Sequence, residues 1–183
     1  ARRGAEVTLV YGPGSVKPPS NVKAIPVETS KEMFESSLSE LKAKRYHVFI
    51  AAAAMADYTP EKPSQGKIPT SRFPELTVKL KATPKLVDQV KKVSPETFLV
   101  SFKAEYGVSE EELERKALEK LKAANADLVV ANDVSKPGSG FEKDEIEVLI
   151  VGRGGLKLKV SRVSKAEVAS KILDLVEEGI RKA

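Results

Sequence analysis

The sequence has no cysteine, no tryptophan and a single histidine. Without thiols it can form no disulfide, no thiolate metal site and no cysteine nucleophile. His47 has no histidine partner for a zinc site. It opens an apolar run and reads as structural. Aromatic residues make up only 5% of the chain, and no arginine-rich stripe interleaves with them. The net charge of +5 therefore points away from nucleic acid. A solvated lysine-rich surface or a polyanionic small molecule fits better. No apolar run reaches the length of a membrane span, and "ARRGAEVTLV" lacks the apolar core of a secretory signal. A cytoplasmic location is expected, with no membrane partner. There is no P-loop and no Rossmann glycine fingerprint. Two methionines against 31 Lys+Arg and 26 Asp+Glu suit a hot-growing source.

What is present is an alternation of strands and helices. "AEVTLVYG" alternates and stops at Gly12-Pro13-Gly14. "ARRG" before it reads as a last helical turn with Gly4 as its C-terminal cap, so the chain is expected to begin inside an α–β unit. "NVKAIPVE" is a short strand. Thr29 or Ser30 caps a helix to about Lys44, with Met33, Phe34, Ser37, Leu38 and Leu41 on one face. "YHVFIAAA" is predicted as a strand buried on both faces. Residues 57–75 read as a long loop and "LTVKL" as a strand. Thr83-Pro84 predicts an N-cap and first helical position, opening a helix to about Val93. "TFLVSFKA" and "ADLVVAND" are further buried strands. Ser109 with Glu112, and Ser164 with Glu167, have capping-box spacing. "EIEVLIVGRGGLKLKVS" is a hairpin around Gly152 to Gly155. The expected fold is α/β: a Rossmann-like, mostly parallel sheet with helices on both faces and a small antiparallel hairpin addition.

Ligands of such sheets sit beyond the carboxyl ends of the strands. Three exits carry unusual residues: Ala53 to Asp57, Phe102 to Glu105, and Asn132-Asp133. The run "AAAAMAD" lets a planar group approach the backbone. Asp57 suits a ribose hydroxyl or Mg²⁺, and equally the start of a turn. Lys67, in "QGKIPT", suits a phosphate or plain solvation. The strand-to-helix junction at "LKATPKLV" offers backbone N–H groups to an anion, as many such junctions do. Lys116 and Lys120 stack one turn apart and suit either an anion or the acids of "EEELE".

In order, "HVFIAAAAMADYTP", "GKI", "LTVKLKATPKLV", "FLVSFKAE" and "KLKAANADLVVANDVSKPGSGFEKDEIEV" resemble phosphopantothenoylcysteine synthetase. That family is the ligase half of the bifunctional coenzyme A biosynthesis protein. The resemblance covers nearly the whole chain and suggests an archaeal member. It implies a single domain over residues 1–183, lacking the family's first strand, glycine-rich loop and most of the first helix. It implies that 4′-phosphopantothenate and cysteine are joined with CTP and Mg²⁺, through an acyl-cytidylate. Residue by residue it implies Lys67 as the catalytic, phosphate-binding lysine, Asp57 as the nucleotide- and metal-contacting acid, and Ala53 as a small residue against the ligand. It further implies Thr83, Pro84, Lys85 and Leu86 as a CTP-contacting loop, Phe102 as an aromatic against the nucleotide, and Lys120 as a nucleotide-binding lysine. A homodimer and an upstream flavin-dependent decarboxylase domain are the implied partners. The alternative is a non-catalytic nucleotide-binding or dimerisation module on the same fold.

Overall fold

A computed structural model describes residues 1–72, 74–136 and 145–182. The "GSGFEKDE" part of the resemblance falls almost wholly outside these residues. The first strands, β1 (Thr8–Tyr11) and β2 (Lys23–Pro26), pair in parallel as a separate two-stranded sheet. Helix α1 (Ser30–Ala43) follows. Thr29 caps it by accepting from the Glu32 N–H, and Glu32 reaches back to the Thr29 N–H. Ser37 and Leu41 are buried on its predicted face.

The main sheet has five strands: β3 (Val48–Ala51), β6 (Phe98–Glu105), β7 (Leu128–Asp133), β8 (Glu145–Gly152) and β9 (Lys157–Ser164). Their order is β3-β6-β7-β8-β9, parallel from β3 to β7 and antiparallel at the β8–β9 hairpin. Between β3 and β6 lie the short strands β4 (Tyr58–Pro60) and β5 (Leu80–Ala82), paired as an antiparallel ribbon, and helix α2 (Val87–Val93). Helices α3 (Glu110–Ala123) and α4 (Lys165–Lys182) complete the order.

Successive side chains of a strand face opposite sides, and β6 shows it. Leu99 joins a core with Leu41, Val90, Leu113, Ala117 and Val129 beneath α1, α2 and α3. Val100 joins Val130, Ile150, Val168, Ile172 and Val176 beneath α4. The central strands are thus buried on both faces, as their continuous apolar runs require. α4 lies so close to β6 that a Cβ at Gly179 would stand 2.3 Å from the Phe98 ring. At the opposite end from the strand exits, Asp127 accepts from the Leu99 N–H (2.8 Å) and pairs with Lys91 (2.7 Å) and Arg153 (3.0 Å). Arg153 also donates to the Asn125 and Ala126 carbonyls beyond α3.

Several local expectations need correction. β3 is not buried on both faces: it is an edge strand of its sheet, and Ile50 is 44% exposed. Its apolar run belongs to a strand with one edge unpaired among the described residues. The strand placed at "LTVKL" pairs only at Leu80–Ala82, and the expected loop 57–75 contributes β4. Thr83 is not an N-cap. Its N–H donates to the Asp57 carbonyl (2.9 Å) and its hydroxyl to the Ala56 carbonyl (2.5 Å), so it closes the base of the ribbon. α2 starts later, with Leu86 at its N-cap and no side-chain cap bond. Ser109 caps α3 through the Glu112 N–H, but the Glu112 carboxylate turns to Arg115 and Lys116. Ser164 and Glu167 form the reciprocal box in full. Gly4 adopts φ +87° in a turn closed by its N–H on the Ala1 carbonyl (2.9 Å); no helix precedes it among the described residues, so the expected helical cap is not seen.

Candidate functional site

A crevice of about 510 Å³ opens at the exits of β3 and β6. Ala51 to Ala54 form a wall of small side chains along it. Ala53 is in that wall, and Asp57 follows at the foot of the ribbon. The Asp57 carboxylate lies 3.7 Å from the Lys85 ammonium, with both groups largely exposed. Because Thr83 is tied to the carbonyls of residues 56 and 57, the segment Thr83, Pro84, Lys85 and Leu86 is held against the same opening. Phe102 contributes a 36%-exposed ring from β6.

Lys120 reaches in from α3. Its side chain is only 17% exposed, and its ammonium sits 3.5 Å from Asp88. Burial pushes its pKa below the ordinary lysine value, Lys85 and Lys103 push the same way, and Asp88 opposes them. A desolvated ammonium beside two others gains from any anion that enters.

Eight of the nine residues singled out from the sequence therefore line one crevice. Lys67 is exposed on the loop that joins β4 to β5 and is not among the lining residues. Two more residues line the crevice: Ser101, which the sequence did not single out, and Lys103, which lies inside the flagged Phe102 to Glu105 exit but was given no role of its own. The Ser101 hydroxyl is buried with no hydrogen-bond partner among the described residues. The available signal was the period of two in β6, which sets positions 101, 103 and 105 on one face. Glu105 binds Lys103 (2.7 Å) and Lys116 (2.8 Å) at once. Burial would raise its pKa, yet those two bonds hold it below the usual carboxylate value. Glu105 in turn raises the pKa of Lys116.

No group of three or more His, Cys, Asp or Glu side chains gathers among the described residues. Magnesium does not need one: it is commonly held by one or two carboxylates with substrate phosphates and water. Asp57 in the crevice fits that pattern.

The opposite wall is Thr8, Leu9 and Val10 of β1. β1 hydrogen-bonds toward β2 and β3 toward β6. Their other edges have no strand partner among the described residues, and both strands line the crevice. Tyr46 crosses between the two sheets: its hydroxyl donates to Glu40 Oε2 at 2.5 Å and accepts from the Thr8 hydroxyl at 2.9 Å.

The family described as the DNA/pantothenate metabolism flavoprotein C-terminal domain matches residues 1–180. The coenzyme A biosynthesis bifunctional protein CoaBC of Thermococcus kodakarensis is 44% identical over 177 residues, 96% of this chain and 42% of that protein. This chain spans about two fifths of the length of the curated relatives it matches. A crystal structure of the C-terminal domain of a CoaBC superposes with a TM-score of 0.78 at 26% identity, covering 100% of this chain and 78% of that one. A mutant protein solved in complex with phosphopantothenate-cysteine superposes with a TM-score of 0.70 at 22% identity, covering 88% of this chain and 54% of that one. At that identity it speaks for the fold alone. No helix among the described residues is long and apolar enough to cross a membrane. Crevice, fold and sequence agree: the chain belongs to the family of DNA/pantothenate metabolism flavoprotein C-terminal domains.

Proposed function

We propose that this chain is a phosphopantothenate–cysteine ligase domain of coenzyme A biosynthesis that uses CTP. The observation that carries this reading is the convergence of segments 51–57, 83–86, 102 and 120 on one crevice. In the first step a substrate carboxylate oxygen attacks the α-phosphorus of CTP. The bond to the β-phosphate oxygen breaks, giving an acyl-cytidylate and pyrophosphate. In the second step the cysteine amine attacks the acyl carbon. The amide forms, CMP leaves, and the amine gives up a proton. No covalent enzyme intermediate is required, consistent with a chain without cysteine.

Positioning and charge neutralisation are the protein's contribution. The Ala51 to Ala54 wall admits the nucleoside against backbone, and the Phe102 ring offers it an apolar face. Lys85 and Lys120 face the phosphate chain. Asp57 would hold magnesium together with phosphate oxygens, and the bound ion would supply neutralisation of the charge that the attacking carboxylate meets. Lys67 acts from the 61–79 loop, carried by the ribbon at the crevice mouth, and stabilises the forming acyl-cytidylate.

In the longer protein a further parallel strand fills the space between β1 and β3, joining the two sheets. This is the family's first strand, and its loop completes the phosphate site. A flavin-dependent decarboxylase domain precedes it in the same cytoplasmic polypeptide. The ribbon region, with Tyr58, Leu76, Val78 and Leu80 more than half exposed, is the contact of a homodimer. Sedimentation of a Leu80→Lys variant tests that contact: it should run as a monomer.

The deciding assay is release of pyrophosphate and CMP from CTP with 4′-phosphopantothenate, cysteine and Mg²⁺, on the longer protein. Wild type should turn over, and Lys67→Ala should stay folded and lose product. Pyrophosphate release from ATP but not CTP would overturn the nucleotide assignment. CTP binding without any turnover would favour a non-catalytic nucleotide-binding module.

A further inference from the structure

We infer that Lys103 is a further anion-binding residue of the crevice, a third ammonium group for the phosphate chain of the bound nucleotide. This rests on the nucleotide reading above and extends it to a residue outside the contacts assigned so far.

The placement comes from β6. Lys103 lies where the strand leaves the core, in parallel register with Ala131 of β7, and it lines the crevice together with Lys85 and Lys120. The three lysines come from three elements: the α2 approach, β6 and α3. Bringing cations together costs free energy unless an anion joins them. Each lysine has one acid beside it. Asp57 stands 3.7 Å from Lys85, Asp88 3.5 Å from Lys120, and Glu105 2.7 Å from Lys103. The first two separations are long for ion pairs and leave the ammonium groups ready to take other oxygens.

Glu105 serves Lys103 differently. Its carboxylate is 15% exposed and is held from the other side by Lys116 at 2.8 Å. The Glu105 carbonyl accepts from the Val134 N–H at 2.8 Å, which ties the β6 and β7 exits together. Glu105 is therefore a fixed bracket that keeps the flexible lysine stem extended at the opening. Ser101, two residues earlier on the same face, places its unpartnered hydroxyl beneath this spot. The ligand class is a phosphate chain of two or more groups, because a single phosphate has no need of three ammonium groups.

The test is calorimetric titration of wild type, Lys103→Met and Lys103→Arg with three probes: inorganic triphosphate, CTP and uncharged cytidine. Each is run at low and moderate salt, with melting curves as a folding control. Lys103→Met should bind inorganic triphosphate and CTP about tenfold more weakly, as for loss of one charge-assisted hydrogen bond. Its salt dependence should be shallower. Cytidine binding should be unchanged, and Lys103→Arg should keep most of the triphosphate affinity. Equal triphosphate affinity in wild type and Lys103→Met overturns the inference, as does an equal loss for cytidine. If wild type binds inorganic triphosphate through Lys103 but neither CTP nor cytidine, the nucleotide reading fails and the Lys103 inference stands. If wild type binds none of the probes, both fail.

Discussion

Gly179 sets how closely α4 approaches the sheet, and replacing it with alanine opposes two effects of known size. A Cβ there would stand 2.3 Å from Cε2 and 2.9 Å from Cζ of Phe98. Non-bonded carbons rest at about 3.5–4.0 Å, so the ring or the helix must give by about 1 Å. The ring packs against the core beneath α4 with Val100, Ile150 and Val176, where overpacking costs about 1–3 kcal/mol. Alanine gains about 0.8–1.0 kcal/mol over glycine in a helix interior, and less here, three residues from the end of α4. The clash should win. Gly179→Ala should lose about 1–2 kcal/mol in urea denaturation followed by circular dichroism. At about 2–4 °C per kcal/mol for a chain of this size, that lowers the melting midpoint by about 2–8 °C. In a Phe98→Leu background the obstacle is gone, and the same change should become neutral or stabilising. The reasoning is wrong if Gly179→Ala raises stability by itself, or if its cost is the same in both backgrounds.

Three further outcomes follow from charges described above. Asp127→Ala leaves the Leu99 N–H without its acceptor and the Lys91 ammonium, 12% exposed, with only the Pro95 carbonyl at 3.3 Å, and should cost about 2–4 kcal/mol in urea midpoint measurements. The Lys120 pKa is lowered on folding, so below that value the folded state carries an unfavourable charge, and the penalty fades as pH rises from there toward the ordinary lysine value. Lys120→Met should therefore raise the melting midpoint of ligand-free protein at neutral pH, while weakening CTP binding in titration. Glu105 has the opposite sign: its lowered pKa contributes stability above the usual carboxylate value, lost as pH falls through the folded value. Glu105→Gln should flatten the acid limb of the stability profile below about pH 4.5, read from melts at successive pH values.

The central strands were legible because both of their faces are buried, so "FLVS" and "LVVAND" are apolar without a period of two. The same rule misread β3: a strand with one open edge has the apolar sequence of a fully enclosed one, and only pairing distinguishes them. Thr83 was misread because a threonine before proline is as good at closing a ribbon as at capping a helix. The partner that decides, the Ala56 carbonyl, lies 27 residues away. Asp57 and Phe102 stood out because an acid behind a run of small residues and an aromatic are unusual at strand exits, whereas Lys120, on α3, gained its role only through the family resemblance. Ser101 was overlooked, and Lys103 was left without a role inside a flagged exit, because a serine and a lysine in alternation look like an ordinary strand surface. Their meaning depends on Lys85 and Lys120 arriving from elsewhere in the fold. Lys67 was legible as a candidate but not as a position, since a loop of 61–79 can set its ammonium in many places.

The crevice has its two long walls on different sheets, joined across the gap by the Tyr46 hydroxyl and by packing of α1. A molecule that touches both walls is therefore also a brace, and its binding free energy adds directly to the resistance of the β1–β2 leaf to peeling away. Protease nicking near residues 12–22, slowed in proportion to nucleotide concentration, would report occupancy of the crevice without any chemistry having taken place.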